Sequence, residues 1–279
     1  FGGGHFPPHK SHQSGRDVDI RLPRLDGSGA HPNHAQTAWH ASWALISAFI
    51  DTGVDVHLLA GNHDLRLLLA VSALAGPRST LTDHMFVRMG RKAVPLMREV
   101  WDRYLGEAAL HDIPDEQTCR KRIFPRRDWF DEFPQQAAPH LPPALIKKEL
   151  RSLKKKRKRF DDDVARAGMT MRMLFAAAQH CKTLFLDDQA PYAWFYDTMD
   201  VIYRSGSLLF VHAGLCDAMC SLLAEGGPGA VNARFRHEAR RDPFAFYSGA
   251  VANLVRTKYR ETDKHLSEAG VRQLHLIGI

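Results

Sequence analysis

Three side chains able to bind a metal or move a proton stand without a gap at Asn62-His63-Asp64. They close an apolar run, Val56-His57-Leu58-Leu59-Ala60, broken only by His57. Gly61 sits between run and triplet and permits a sharp turn. Length and composition predict a short buried strand over 54–60. The carboxyl ends of such strands are where open α/β sheets bind ligands. Ser207-Leu208-Leu209-Phe210-Val211-His212-Ala213-Gly214-Leu215 repeats the plan: an apolar strand, then a histidine, then a glycine. The Asn62 amide oxygen suits a hard or borderline cation, and the His212 imidazole suits manganese, iron or zinc over magnesium. An Asn-His-Asp turn also fits a capped helix start, with Asp64 as the cap.

Together the two segments resemble the Gly-Asn-His-Asp/Glu signature and the later Val-His-Ala/Gly-Gly strand end of the calcineurin-like metallophosphoesterases. The likeness covers residues 40–75 and 195–279 well, the middle poorly and the first forty residues hardly at all. Val211-His212-Ala213-Gly214 resembles the bacterial serine/threonine-phosphatase-like branch more than a nuclease branch.

The resemblance implies an α/β fold, a layered sheet-and-helix core, and hydrolysis of a phosphate ester or phosphoanhydride by water activated on two divalent metal ions, manganese, iron or zinc. It implies Asn62 and His212 as ligands of one metal and His63 as general acid. Asp64 would hold His63 in its tautomer and keep it protonated. Arg66 and Arg256 are candidate phosphate contacts, with Lys258 and Arg260 beside the latter. The implied substrate is a phosphorylated small molecule or a phosphoprotein.

Parts of the family pattern are absent: the Asp-x-His and Gly-Asp-x-x-Asp of the first two strands, and the late Gly-His. Asp17, Asp19 and Asp26 lie in the right region without the motif around them. His275 before Ile277-Gly278-Ile279 looks like the approach to the missing Gly-His. A fragment cut at both ends is the expectation, since the chain begins with Phe and stops inside an expected element. It supplies two plausible ligands for a dinuclear site.

The elements that must position these residues follow from periodicity. Trp39, Trp43, Leu45, Ile46, Phe49 and Ile50 predict an amphipathic helix over 35–52, stopped at Gly53. Residues 65–75 read as the helix after the site, ended by Gly76-Pro77. A single strand is expected over 201–211, with Gly206 at a turn preceding its motif, and helices over 215–224 and 244–260. The signature segments stand roughly 150 residues apart, more than a parallel crossover needs. A mainly helical insertion over about 79–200 is therefore expected within a partial domain of 35–279. Residues 1–34, with Gly2-Gly3-Gly4, Pro7-Pro8 and scattered histidines, read as an irregular leader.

The chain has 279 residues, 44% of them apolar, enough for a sizeable core. Its net charge of +7 suits an anionic substrate or partner. Cys119, Cys181, Cys216 and Cys220 form no CxxC pair and read as small buried hydrophobes in a reducing cytoplasm. No apolar run has the length of a membrane helix. Tyr192, Trp194, Phe195 and Tyr196 read as core aromatics rather than a base-stacking platform. Residues 147–159 are a basic run that reads either as a solvated helix face balanced by Asp161-Asp162-Asp163 or as a steering surface. The rival to the enzyme is a catalytically incomplete basic module that holds nucleic acid or another polyanion on this run.

Overall fold

The computed structural model describes residues 57–90, 93–255 and 266–279, together with Ala48 and Asp51. The chain divides into two compact units, Phe1–Val56 and His57–Ile279, and the second carries the helices and the sheet named here. The expected leader, Asp17, Asp19, Asp26, Arg256, Lys258 and Arg260 lie outside the described residues. So does the helix expected over 35–52, apart from Ala48 and Asp51, both helical.

Helices dominate the described residues, and the sheet is small. The first helix, α1 (Asn62–Ala75), buries Leu65, Leu68, Leu69, Ala70 and Val71. Leu67, Ala73 and Leu74 pack against the same core, so α1 is apolar nearly all round and central. Gly76 ends it, its N–H donating to Ser72 O at 2.9 Å, and Pro77 prevents continuation. After α1 come α2 (Met85–Gly90), α3 (Val94–Tyr104), α4 (Glu116–Ile123), α5 (Trp129–Ala137), α6 (Pro143–Arg166), α7 (Met171–Phe185) and α8 (Ala193–Thr198). Pro143 opens α6 at a position where its missing N–H costs nothing. Ile146, Glu149, Leu153, Phe160 and Val164 form the buried stripe of α6. The Thr170 hydroxyl caps α7, accepting from the Met173 N–H at 3.2 Å.

The strand expected over 201–211 is a hairpin, and this corrects the expectation of a single strand. β1 (Ile202–Ser205) pairs antiparallel with β2 (Leu208–Val211), with Ile202 opposite Val211 and Ser205 opposite Leu208. Gly206 makes the two-residue turn possible: its φ of +58° is a conformation L side chains rarely adopt. Of the strand expected over 54–60, the described residues 57–60 hold one isolated bridge beside the sheet. Leu59 bridges Asp200 in parallel, with Ala60 N–H donating to Asp200 O at 2.7 Å and Asp200 N–H to Leu58 O at 3.1 Å. Among the described residues the hairpin is the whole sheet, so a layered sheet core is not seen there; a mainly helical chain with a small antiparallel sheet is.

α9 (Asp217–Arg241) follows the hairpin and breaks at Gly227-Pro228. α10 (Pro243–Ser248), a 3₁₀ turn over Val251–Val255 and α11 (Glu268–Leu276) complete the described chain. α9 holds the start of β1. Its Asn232 amide oxygen accepts from Val201 N–H at 3.0 Å and Ile202 N–H at 3.3 Å, and its NH₂ donates to Ile202 O at 2.9 Å. One turn on, Arg236 ion-pairs Asp200 at 2.7 Å. Where the chain leaves the sheet at Gly61, the buried Asn232 side chain thus satisfies backbone groups that a further strand residue would have met.

No described helix is long and apolar enough to cross a membrane.

Candidate active site

The two signature segments meet. A Cβ built on Gly61 would lie 3.4 Å from His212 Cε1 and 3.5 Å from His212 Nδ1. Gly61 has an extended backbone (φ −97°, ψ 171°) that any residue can adopt; the tight neighbour of a side chain there is the Asp64 carboxylate at 3.2 Å, while the His212 ring stands at ordinary contact distance. The next residue, Asn62, opens α1. The Asn62 side chain is half-buried, while His63 and His212 are exposed. β2 delivers His212, and Ala213 N–H fastens the strand end to Leu254 O at 2.7 Å.

The Asp64 carboxylate turns back on the loop. Its Oδ2 accepts the Gly61 N–H at 2.9 Å, closing the first turn of α1. The same oxygen would lie 3.2 Å from a Cβ at Gly61. Asp64 is therefore engaged with the turn rather than with His63, and in this geometry it positions the turn. From α8, the buried Tyr196 hydroxyl donates to the Asp64 carbonyl at 3.1 Å and so anchors the same turn. Burial, first, and the nearby Asp64 charge push the Tyr196 phenol well above its usual range, which keeps it a neutral donor.

Arg66 stands four residues after Asn62, on the same side of α1. It is half-buried, and no carboxylate pairs with it among the described residues. Burial, then the positive charge of Arg88, draws its guanidinium below the usual range. Arg88 itself is compensated: its Nε donates to Glu149 at 2.8 Å, and Tyr247 OH donates to the other Glu149 oxygen at 2.8 Å. Burial works against charge on Glu149, but Arg88 outweighs it and holds the carboxyl at about 2.

A metal ion needs more donors than this. Among the described residues no group of three or more His, Cys, Asp or Glu side chains is close enough to hold one. Asn62 and His212 offer one amide oxygen and one imidazole at a shared lip, a donor set that fits one corner of a metal site.

No protein-family model matches the chain, no curated protein matches it, and no solved structure does. The reading of the site therefore rests on its residues.

Several structural residues carried little sequence signal. Glu149 could have been noticed as an acid at a core position of the 146–149–153 stripe. Asn232 and Tyr196 gave no such mark; only their partners reveal them. Of the four aromatics expected in the core, Tyr196 is buried and Phe195 half-buried, but Tyr192 and Trp194 are exposed, at the surface end of α7 and α8. All four cysteines are buried and free; burial pushes the Cys181 thiol up to about 12.

Proposed function

We propose that this chain carries part of a metal-dependent phosphoesterase site, acting on a phosphate ester or phosphoanhydride. The observation that supports it is the His212 ring lying against Gly61, the residue that leads into Asn62 and His63. A divalent metal there, completed by further ligands, would neutralise phosphate charge and provide an activated water.

The chain's own residues do the rest. Asn62 and His212 are the metal ligands it supplies. His63, exposed beside them, protonates the departing oxygen. The positive end of the α1 dipole favours the anionic substrate. Arg66, with no carboxylate partner among the described residues, neutralises a phosphate oxygen. Asp64 and Tyr196 fix the turn on which Asn62 and His63 are mounted.

The test is hydrolysis of a generic aryl phosphate by the intact chain with manganese. Chelation abolishes turnover, and manganese restores it. His63→Ala lowers kcat by about 10²–10⁴-fold while bound metal stays at the parent level. Equal loss of metal and activity would make His63 a ligand instead of the acid. A chain that neither binds manganese nor hydrolyses the ester overturns the proposal.

A further inference from the structure

Helix α6 sorts its own charges. Of the basic run 147–159, Lys147, Lys148, Arg151, Lys154, Lys155, Lys158 and Arg159 are exposed. Glu149, the one acid in the run, faces inward onto Arg88 and Tyr247. Lys156 also turns inward, donating to the Arg88 carbonyl at 2.7 Å, and the Arg157 guanidinium lies over the Phe124 ring at 5.7 Å. At 3.6 residues per turn the seven outward cations fall within an arc of roughly 140° and a length of ~18 Å.

None of the seven makes an ion pair among the described residues. Lys154 has only the Phe130 ring, at 5.5 Å. The acids that follow in sequence are engaged elsewhere: Asp161 is held by both terminal nitrogens of Arg120 at 2.7 Å, and Asp163 pairs with Arg166 at 2.8 Å. Asp162 alone is exposed, one turn past Lys158 on the same face, a single acid at the end of a row of seven cations. A solvated face balanced by its own acids is thus not what the structure holds. Seven like charges side by side repel one another and favour a polyanion.

The chemistry of that polyanion can be narrowed. The apolar stripe of α6 is buried in the core, and none of the large exposed hydrophobic residues belongs to α6. A helix lying in a lipid surface needs such an apolar face. No aromatic ring is interleaved with the exposed cations, as stacking on single strands requires. A straight cationic row of ~18 Å spans about five base-pair steps of a duplex. We infer that the solvent face of α6 binds the phosphate backbone of double-stranded nucleic acid without regard to sequence. This surface does not depend on the phosphoesterase reading.

The test is fluorescence anisotropy of a labelled duplex of arbitrary sequence with the intact chain, across salt concentrations, with and without chelator. Seven phosphate contacts give a slope of log K against log salt of about −6, and chelator leaves it unchanged. The triple variant Lys147→Gln, Arg151→Gln, Lys155→Gln makes the slope shallower by about 3. These side chains are exposed, so folding is retained. Arg103→Gln, Arg234→Gln and Arg272→Gln together remove the same charge from ion-paired surface sites and leave the slope in place. Equal effects of the two triples would reduce the binding to net charge and overturn the assignment. So would tighter binding of a single strand than of the duplex, or capture by anionic phosphatidylserine vesicles with none by duplex.

Discussion

The imidazole of His212 lies 3.4 Å from the point where a side chain on Gly61 would begin. Residues roughly 150 positions apart thus share one lip, and the glycine is the space between them. Asp64, with its Oδ2 3.2 Å from the same point, bounds that space from the other side.

Gly61→Ala should therefore disturb the site more than the fold. The new methyl group meets the Asp64 carboxylate at less than ordinary contact distance, so the Gly61–Asp64 hydrogen bond must lengthen. A stability loss of about 1 kcal/mol is expected from the weakened cap, with a change in the NMR environment of the His212 ring. Thermal unfolding and histidine NMR read both. An unchanged His212 signal would mean that the ring and Gly61 are not neighbours in solution.

Asn232→Leu should cost far more. It removes the acceptor for the Val201 and Ile202 N–H groups and the donor to Ile202 O, all buried. A loss of about 2–4 kcal/mol is expected for groups left without partners. Urea denaturation measures it. A loss below about 0.5 kcal/mol would show that the Asn232 clamp does not hold β1.

Acid should weaken the helical part in two stages. His84 is fully buried against Trp129 and Phe133, and neither ring nitrogen has a hydrogen-bond partner among the described residues. Burial is the main cause that lowers its pKa from 6.5 to about 4, with Arg88 adding to it and Glu149 and Asp83 opposing. The unfolded chain binds this proton more readily, so the stability in question is intact above pH 6.5 and declines as pH falls toward 4. Glu149, depressed from 4.5 to about 2, contributes fully above pH 4.5 and loses its contribution between there and 2. His84→Phe should flatten the upper stage alone. Chemical denaturation at about pH 7, 5 and 4 checks this; an upper stage persisting in His84→Phe would assign it to another group.

What could be read along the chain was local. The apolar run ending at Gly61, the helix stopped at Gly76-Pro77, and the turn at Gly206 follow from backbone preferences and side-chain period, which depend on near neighbours. The second strand was legible as apolar but not as half of a hairpin, because Ile202–Ser205 and Leu208–Val211 differ only in the turn between them. The approach of the Gly61 loop to His212 was an inference from a resemblance, since spacing along a chain says nothing of distance across it.

Sequence alone thus determined which residues could do chemistry and which helix or strand end would carry them. Tertiary structure decided what each of them touches. Asp64 has two groups within reach, and packing of Tyr196 and His212 around the turn leaves its carboxylate on the Gly61 N–H. Glu149 and the seven outward cations belong to one uninterrupted run of letters, yet burial of one α6 face pairs the acid with Arg88 and leaves the cations to solvent. The reason is physical: local preference sets the path of the backbone, whereas the partner of a polar side chain is chosen by whatever desolvates it.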